Sequence, residues 1–169
     1  MNPDTSPVVT FVGSSGTGKT TYLARLIPEL KGRGLRLAVL KHDVHHFEMD
    51  HPGKDTYRFT AAGADVVTIA NREKFALLQR TDRELSLEEI ISRLPPVDLI
   101  LVEGYKHNPY PKIEIHRAAL GRPLIAPPEE LLAIVTDEPV DSPAPQLDLT
   151  DITGCADLLM RHLSRFSPV

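Results

Sequence analysis

Apolar residues fall along this chain in short unbroken blocks, separated by stretches with helical spacing and closed by glycine or proline. The block at 8–12, Val-Val-Thr-Phe-Val, is β-branched and stops at Gly13, which predicts a buried strand. From Lys19 to Lys31 the period changes. Leu23, Leu26, Ile27 and Leu30 then share one face of a helix, Pro28 predicts a bend or an altered last turn, and Gly32 and Gly34 end it. A second strand is predicted over 35–40. Strand, glycine loop, helix and strand in that order form a βαβ unit, which requires parallel pairing and a right-handed crossover.

Further on, 42–53 reads as a polar loop and 55–62 as a short helix closed by Gly63. Strands at 65–70 and 75–79 form a hairpin around Asn71-Arg72-Glu73. Ser86 and Glu89 make a capping box for a helix that Pro95-Pro96 stops. Strands are predicted at 97–102, 112–116 and 131–135, a proline-rich linker at 138–145 and a last helix at 153–165. The alternation gives an α/β fold, a three-layer P-loop type with a largely parallel sheet and an inserted hairpin. Ligands of such sheets sit beyond the carboxyl ends of the strands, where the loops starting at Gly13, Lys41, Glu103 and Thr136 converge.

Composition changes this picture little. The 169 residues fit one P-loop domain spanning 1–169, and a net charge of −4 gives no global case for a nucleic-acid partner. A single cysteine, Cys155, excludes an internal disulfide and fits a cytoplasmic setting. No long apolar run predicts a membrane span.

The chemistry is concentrated in Gly13-Ser14-Ser15-Gly16-Thr17-Gly18-Lys19-Thr20, a complete phosphate-loop pattern followed by Thr21. Glycines let the backbone approach phosphate oxygens, and the loop N–H groups and helix N-terminus point at them. Lys19 reaches the β- and γ-phosphates, and the Thr20 hydroxyl suits Mg²⁺. A second metal carboxylate is expected at the end of another apolar strand. Glu103 closes such a strand, whereas Asp98 opens it roughly 16 Å away at the usual rise per residue. Glu103 is therefore preferred as a Mg²⁺ ligand or as the group that orients the attacking water. Asp43 is a further metal candidate.

Four of the seven histidines, His42, His45, His46 and His51, fall in one short window with Asp43, Glu48 and Asp50. That window reads as a transition-metal site, as a loop for phosphates or a polyanionic partner, or as a solvated polar loop. Asp137, after the late strand, can accept hydrogen bonds from guanine N1–H and its 2-amino group, or serve as a turn residue before Pro139. The Asn-Lys-x-Asp guanine signature of many GTPases is absent.

Taken with the phosphate loop, residues 41–50, 52–58, Ala62-Gly63-Ala64, Glu103-Gly104-Tyr105-Lys106 and Pro111-Lys112-Ile113-Glu114 make the chain similar to the molybdopterin-guanine dinucleotide biosynthesis protein B (MobB) family, from about Val8 to Asp137. The resemblance implies a homodimer that binds GTP with Mg²⁺ and hydrolyses it slowly. It implies an adapter that assists the guanylyltransferase joining GMP to molybdopterin, with molybdopterin as a bound ligand. Under it, His42, His45, His46, Lys54, Arg58, Lys106 and Lys112 become expected contacts for molybdopterin or the partner protein. Two other readings use the same loop: a small-molecule kinase, and a GTP-dependent metallochaperone carrying its metal on 42–51.

Overall fold

The computed structural model describes residues 6–42 and 47–166. It forms two compact units: residues up to His42 together with those from Leu94 onward, and the intervening stretch ending at Arg93.

The first unit is built on a six-stranded sheet. Its strands are β1 (Val8–Val12), β2 (Leu37–Lys41), β5 (Leu99–Glu103), β6 (Lys112–Ile115), β7 (Leu131–Thr136) and β8 (Gln146–Asp148). They run in the order β2-β5-β1-β6-β7-β8, and every pair is parallel. The strand carrying the phosphate loop is thus central, flanked by β5 and β6. Helices α1 (Lys19–Gly32) and α4 (Ile152–Leu163) pack on one face. There Val9, Phe11, Leu99, Leu101, Ile113, Ile115 and Val135 meet Leu23, Leu26, Leu30, Cys155, Ala156 and Leu159 in one core. Alternate positions on the strands (Val8, Thr10, Ile100, Val102, Lys112, Glu114) face the other way and are buried as well, as expected of a parallel sheet.

Arg33 joins the two helices, donating to Glu29 on α1 at 3.0 Å and Asp157 on α4 at 2.5 Å. Pro28 lies within α1, which continues through it to Gly32. Its missing N–H falls on an exposed face, where water can serve the freed carbonyl. The stretch read as a linker ends in β8, three residues that pair with β7 from Ile134 to Thr136. Proline masks so short a strand in a sequence.

The second unit holds α2 (Asp55–Ala61), the antiparallel hairpin of β3 (Val66–Ala70) and β4 (Phe75–Gln79), and α3 (Leu87–Ile91). The hairpin turn is fixed by Asn71, whose side-chain oxygen accepts from the Glu73 and Lys74 N–H groups. The predicted capping box on α3 is present in both directions. Among the described residues, no helix is long and apolar enough to cross a membrane.

Candidate functional site

The phosphate loop leaves β1 and enters α1 in six residues, and its glycines are structural necessities. Gly13 has φ 139°, and a Cβ there would press into the Ile115 carbonyl oxygen of β6. Gly18 starts α1 in the left-handed region at φ 92°, a conformation costly for any other residue type. Thr17 is buried and folds its hydroxyl back onto the Ser14 carbonyl at 3.0 Å. Ser15, Gly16, Thr20 and Thr21 are exposed at the mouth.

Lys19 lies along this loop, its ammonium donating to the Gly13 carbonyl at 2.8 Å and the Ser14 carbonyl at 2.9 Å. Burial pushes its pKa down; the Glu103 carboxylate opposes that, and Lys106 and Lys41 add to the lowering. Three ammonium groups therefore share one neighbourhood at the strand ends. In a chain of net charge −4, this gathers three cations beside the Glu103 and Glu114 carboxylates.

The metal-site expectation has a definite geometry. The Thr20 hydroxyl donates to Glu103 Oε1 at 2.6 Å. Glu103 is nearly buried at 9% exposure, at the end of β5 beside β1. Two hard oxygen donors at a phosphate-loop mouth suit Mg²⁺. Asp98 stands at the opposite end of β5, accepting from the Arg36 N–H at 2.6 Å. Beyond Glu103 the backbone is tight. Gly104 has φ 96°, Tyr105 takes the left-handed region at φ 46°, and the Tyr105 ring stacks on His42 with centroids 4.0 Å apart. His42 also donates its backbone N–H to the Glu103 carbonyl at 2.9 Å. A non-glycine residue in this region is uncommon.

The remaining expected contacts divide. Lys106 is exposed near Lys19. Lys54 and Arg58 belong to the second unit, where Arg58 lies 3.7 Å from Asp55 on the exposed surface of α2. Asp43, His45 and His46 lie outside the described residues. Lys112 requires a correction. Its side chain is 1% exposed, and its ammonium is taken up by the Asn108 carbonyl at 2.6 Å, the Tyr110 carbonyl at 3.1 Å and the Glu130 carboxylate at 2.6 Å. A cation buried with three acceptors is a structural tie, and moving it to a ligand would strand Glu130 and two carbonyls. Among the described residues, no group of three His, Cys, Asp or Glu side chains is placed to hold a metal ion.

Two arginines beside the loop were not singled out from the sequence. Arg117 Nε donates to the Thr17 carbonyl at 2.9 Å, and Arg122 reaches toward the Ser15 carbonyl at 3.4 Å. Buried Glu114 holds the segment that follows Arg122 by accepting from the Ile125 and Ala126 N–H groups at 2.8 and 2.9 Å. The available signal was their place just after the strand at 112–116, at the same sheet edge as the other site loops. Asp137 lies on this side too, accepting from the Ala118 N–H at 2.9 Å. It lines a cavity of about 190 Å³ with Thr136, Glu138, Pro139, Gln146, Leu147 and Asp148.

Comparison with known proteins agrees over most of the chain. The family described as molybdopterin guanine dinucleotide synthesis protein B matches residues 8–137. A molybdopterin-guanine dinucleotide biosynthesis adapter protein of Haemophilus influenzae is 38% identical over 162 residues, covering 95% of this chain and 91% of the relative. The Escherichia coli protein of the same name is 38% identical over 169 residues, covering 94% of each. Among solved structures, a molybdopterin-guanine biosynthesis protein B aligns with a TM-score of 0.72 at 29% identity, covering 93% of this chain and 99% of that one. Bacillus subtilis MobB aligns with a TM-score of 0.71 at 28% identity, covering 92% and 96%. The phosphate loop, its six-stranded parallel sheet and these likenesses together place the chain in the molybdopterin-guanine dinucleotide biosynthesis protein B family, with the P-loop NTPase fold.

Proposed function

We propose that this chain is a GTP- and Mg²⁺-binding adapter of molybdenum-cofactor biosynthesis, with slow GTPase activity, that assists attachment of GMP to molybdopterin. The observation that carries the nucleotide part is the Thr20–Glu103 contact of 2.6 Å at the mouth of a complete phosphate loop. The pathway part is supported by the relatives, which are named as adapter proteins of molybdopterin-guanine dinucleotide biosynthesis.

In this reading the loop N–H groups and the N-terminus of α1 bind the phosphates. Lys19 swings from the Gly13 and Ser14 carbonyls to the β- and γ-phosphate oxygens. It exchanges two neutral acceptors for anionic ones, which favours its charged form. Thr20 and Glu103 would hold Mg²⁺, which when bound neutralises charge developing on the phosphates. Glu103 also orients the attacking water. The guanylyltransferase and molybdopterin are the partners this reading requires, with Lys106 and His42 as contacts beside the phosphate loop.

A homodimer belongs to the same proposal. Strand register puts Val66, Thr68, Ala70, Phe75 and Leu77 on one face of the β3-β4 hairpin. Every one of these is exposed, Phe75 at 67% and Leu77 at 50%. An apolar hairpin face left in water favours association.

Calorimetric titration with GTP and with ATP, each with Mg²⁺, tests the central claim. We expect GTP to bind more tightly than ATP, with affinity reduced at least about 100-fold in Lys19→Ala. Turnover without a partner should stay below about 1 s⁻¹. Preference for ATP with transfer of phosphate to a small-molecule acceptor would replace the adapter reading with a kinase.

A further inference from the structure

Arg117 spans two loops that the phosphate chemistry does not connect. It follows the end of β6, and its Nε donates to the Thr17 carbonyl of the phosphate loop at 2.9 Å. Its Nη1 lies 3.8 Å from Asp137 Oδ2, at the end of β7. The other oxygen of that carboxylate accepts from the Ala118 N–H at 2.9 Å. One oxygen of Asp137 thus accepts a hydrogen bond and the other lies within ion-pair distance of Arg117, both from consecutive residues of one turn that is itself fastened to the phosphate loop.

Strand register explains why an arginine two residues beyond β6 can do this. Ile115 pairs with Val135 in parallel strands, so Arg117 and Asp137 leave the sheet at the same level. An Asn-Lys-x-Asp signature would put its lysine two residues before the aspartate. That position here is Val135, fully buried in the core, and no cation can come from β7 itself. The neighbouring strand supplies one instead. His116 adds rigidity from the same turn: its ring nitrogens lie 3.3 Å from the Thr136 hydroxyl and 3.0 Å from the Arg122 carbonyl.

We propose that Arg117 is a specificity-determining positioning residue, which braces Asp137 against the phosphate loop so that its carboxylate meets the N1–H and 2-amino group of a guanine base in the cavity beyond β7 and β8. This rests on the proposed GTP-binding function. The chemistry follows from the donor sets. Guanine offers adjacent N–H donors at N1 and at its 2-amino group, where adenine has an acceptor N1 and a C2–H, so a carboxylate fixed in direction discriminates and a freely rotating one does so weakly. Linking the carboxylate through Arg117 to the Thr17 carbonyl also couples base reading to the shape of the phosphate loop.

The test is calorimetric titration of the full chain, wild type, Arg117→Ala, Arg117→Lys and Asp137→Asn, with the Mg²⁺ complexes of GTP, ATP and xanthosine triphosphate. In Arg117→Ala, GTP affinity should fall about tenfold and ATP affinity less than about threefold, collapsing the ratio between them. Arg117→Lys should recover part of that ratio, because the charge returns without the fork that reaches both partners. Asp137→Asn should transfer preference to xanthosine triphosphate, whose O2 accepts from the new carboxamide. Equal loss of GTP and ATP in Arg117→Ala would make Arg117 a phosphate contact and overturn the inference. An unchanged ratio would overturn it too. A wild-type chain that bound GTP and ATP equally would overturn the role of Asp137 with it, and one that bound neither would overturn the proposed function itself.

Discussion

The two units of this chain bury their apolar residues very differently. In the first, both faces of the central strands are closed, and Val9, Phe11, Leu26, Leu101 and Ile113 are sealed from water. In the second, only Val67 and Leu87 are buried among the described residues, while Phe47, Met49, Phe59, Val66, Ile69, Phe75 and Leu77 are exposed. The first unit therefore carries the apolar burial that opposes chain entropy. The second is held by directed polar contacts, namely the Asn71 turn, the α3 capping box and the Arg83–Glu89 pair.

Truncation should separate the units most sharply. Leu26→Ala, which opens a cavity between α1 and the sheet, should cost about 2–5 kcal/mol in urea denaturation. Leu77→Ala on the hairpin should change the stability of the isolated chain by less than about 0.5 kcal/mol. Comparable losses at both positions would erase the contrast.

Charge should act in the opposite sense. The pair Phe75→Glu with Leu77→Glu should turn a dimer into a monomer in light scattering while GTP binding per chain persists. A wild-type chain already monomeric at high concentration would remove the hairpin's role in association.

The smallest effect concerns acid. Hydrogen bonds from Arg83 and from the Ser86 N–H hold the Glu89 carboxyl down to about 2, from an ordinary 4.5. A depressed carboxylate contributes stability above its unfolded value and loses it as pH falls through the folded one. Amide protection of α3 should therefore fade between pH 4.5 and about 2, and Arg83→Ala should move that loss to higher pH. Protection independent of Arg83 would show that α3 is held by burial after all.

The sheet was largely readable because buried strands are written as apolar blocks: 8–12, 97–102 and 131–135 all reappear within a residue or two. The phosphate loop was readable because backbone geometry demands its glycines at fixed spacing, and the hairpin and capping box because their turn chemistry is local. What escaped depends on three-dimensional placement that no local pattern encodes. Lys112 looks like a free cation until Asn108, Tyr110 and Glu130 close around it. Arg117 looks like a surface residue until register sets it level with Asp137. The strand β8 is only three residues long and follows prolines, too little pattern to show a period.

The position of β1 in the sheet bears on how the protein is made. Its neighbours are β5 and β6, so Val9 lies beside Leu101 and Phe11 beside Ile113. A ribosome releases the phosphate loop early and the strands that frame it much later. Until then Gly13 has no Ile115 carbonyl to rest against and Thr20 has no Glu103. The loop therefore emerges before either of these neighbours exists. Both neighbours follow only after the inserted segment, 43–93, has been synthesised, so the frame of the loop rests on contacts far apart in sequence, which form late because long loops must close first.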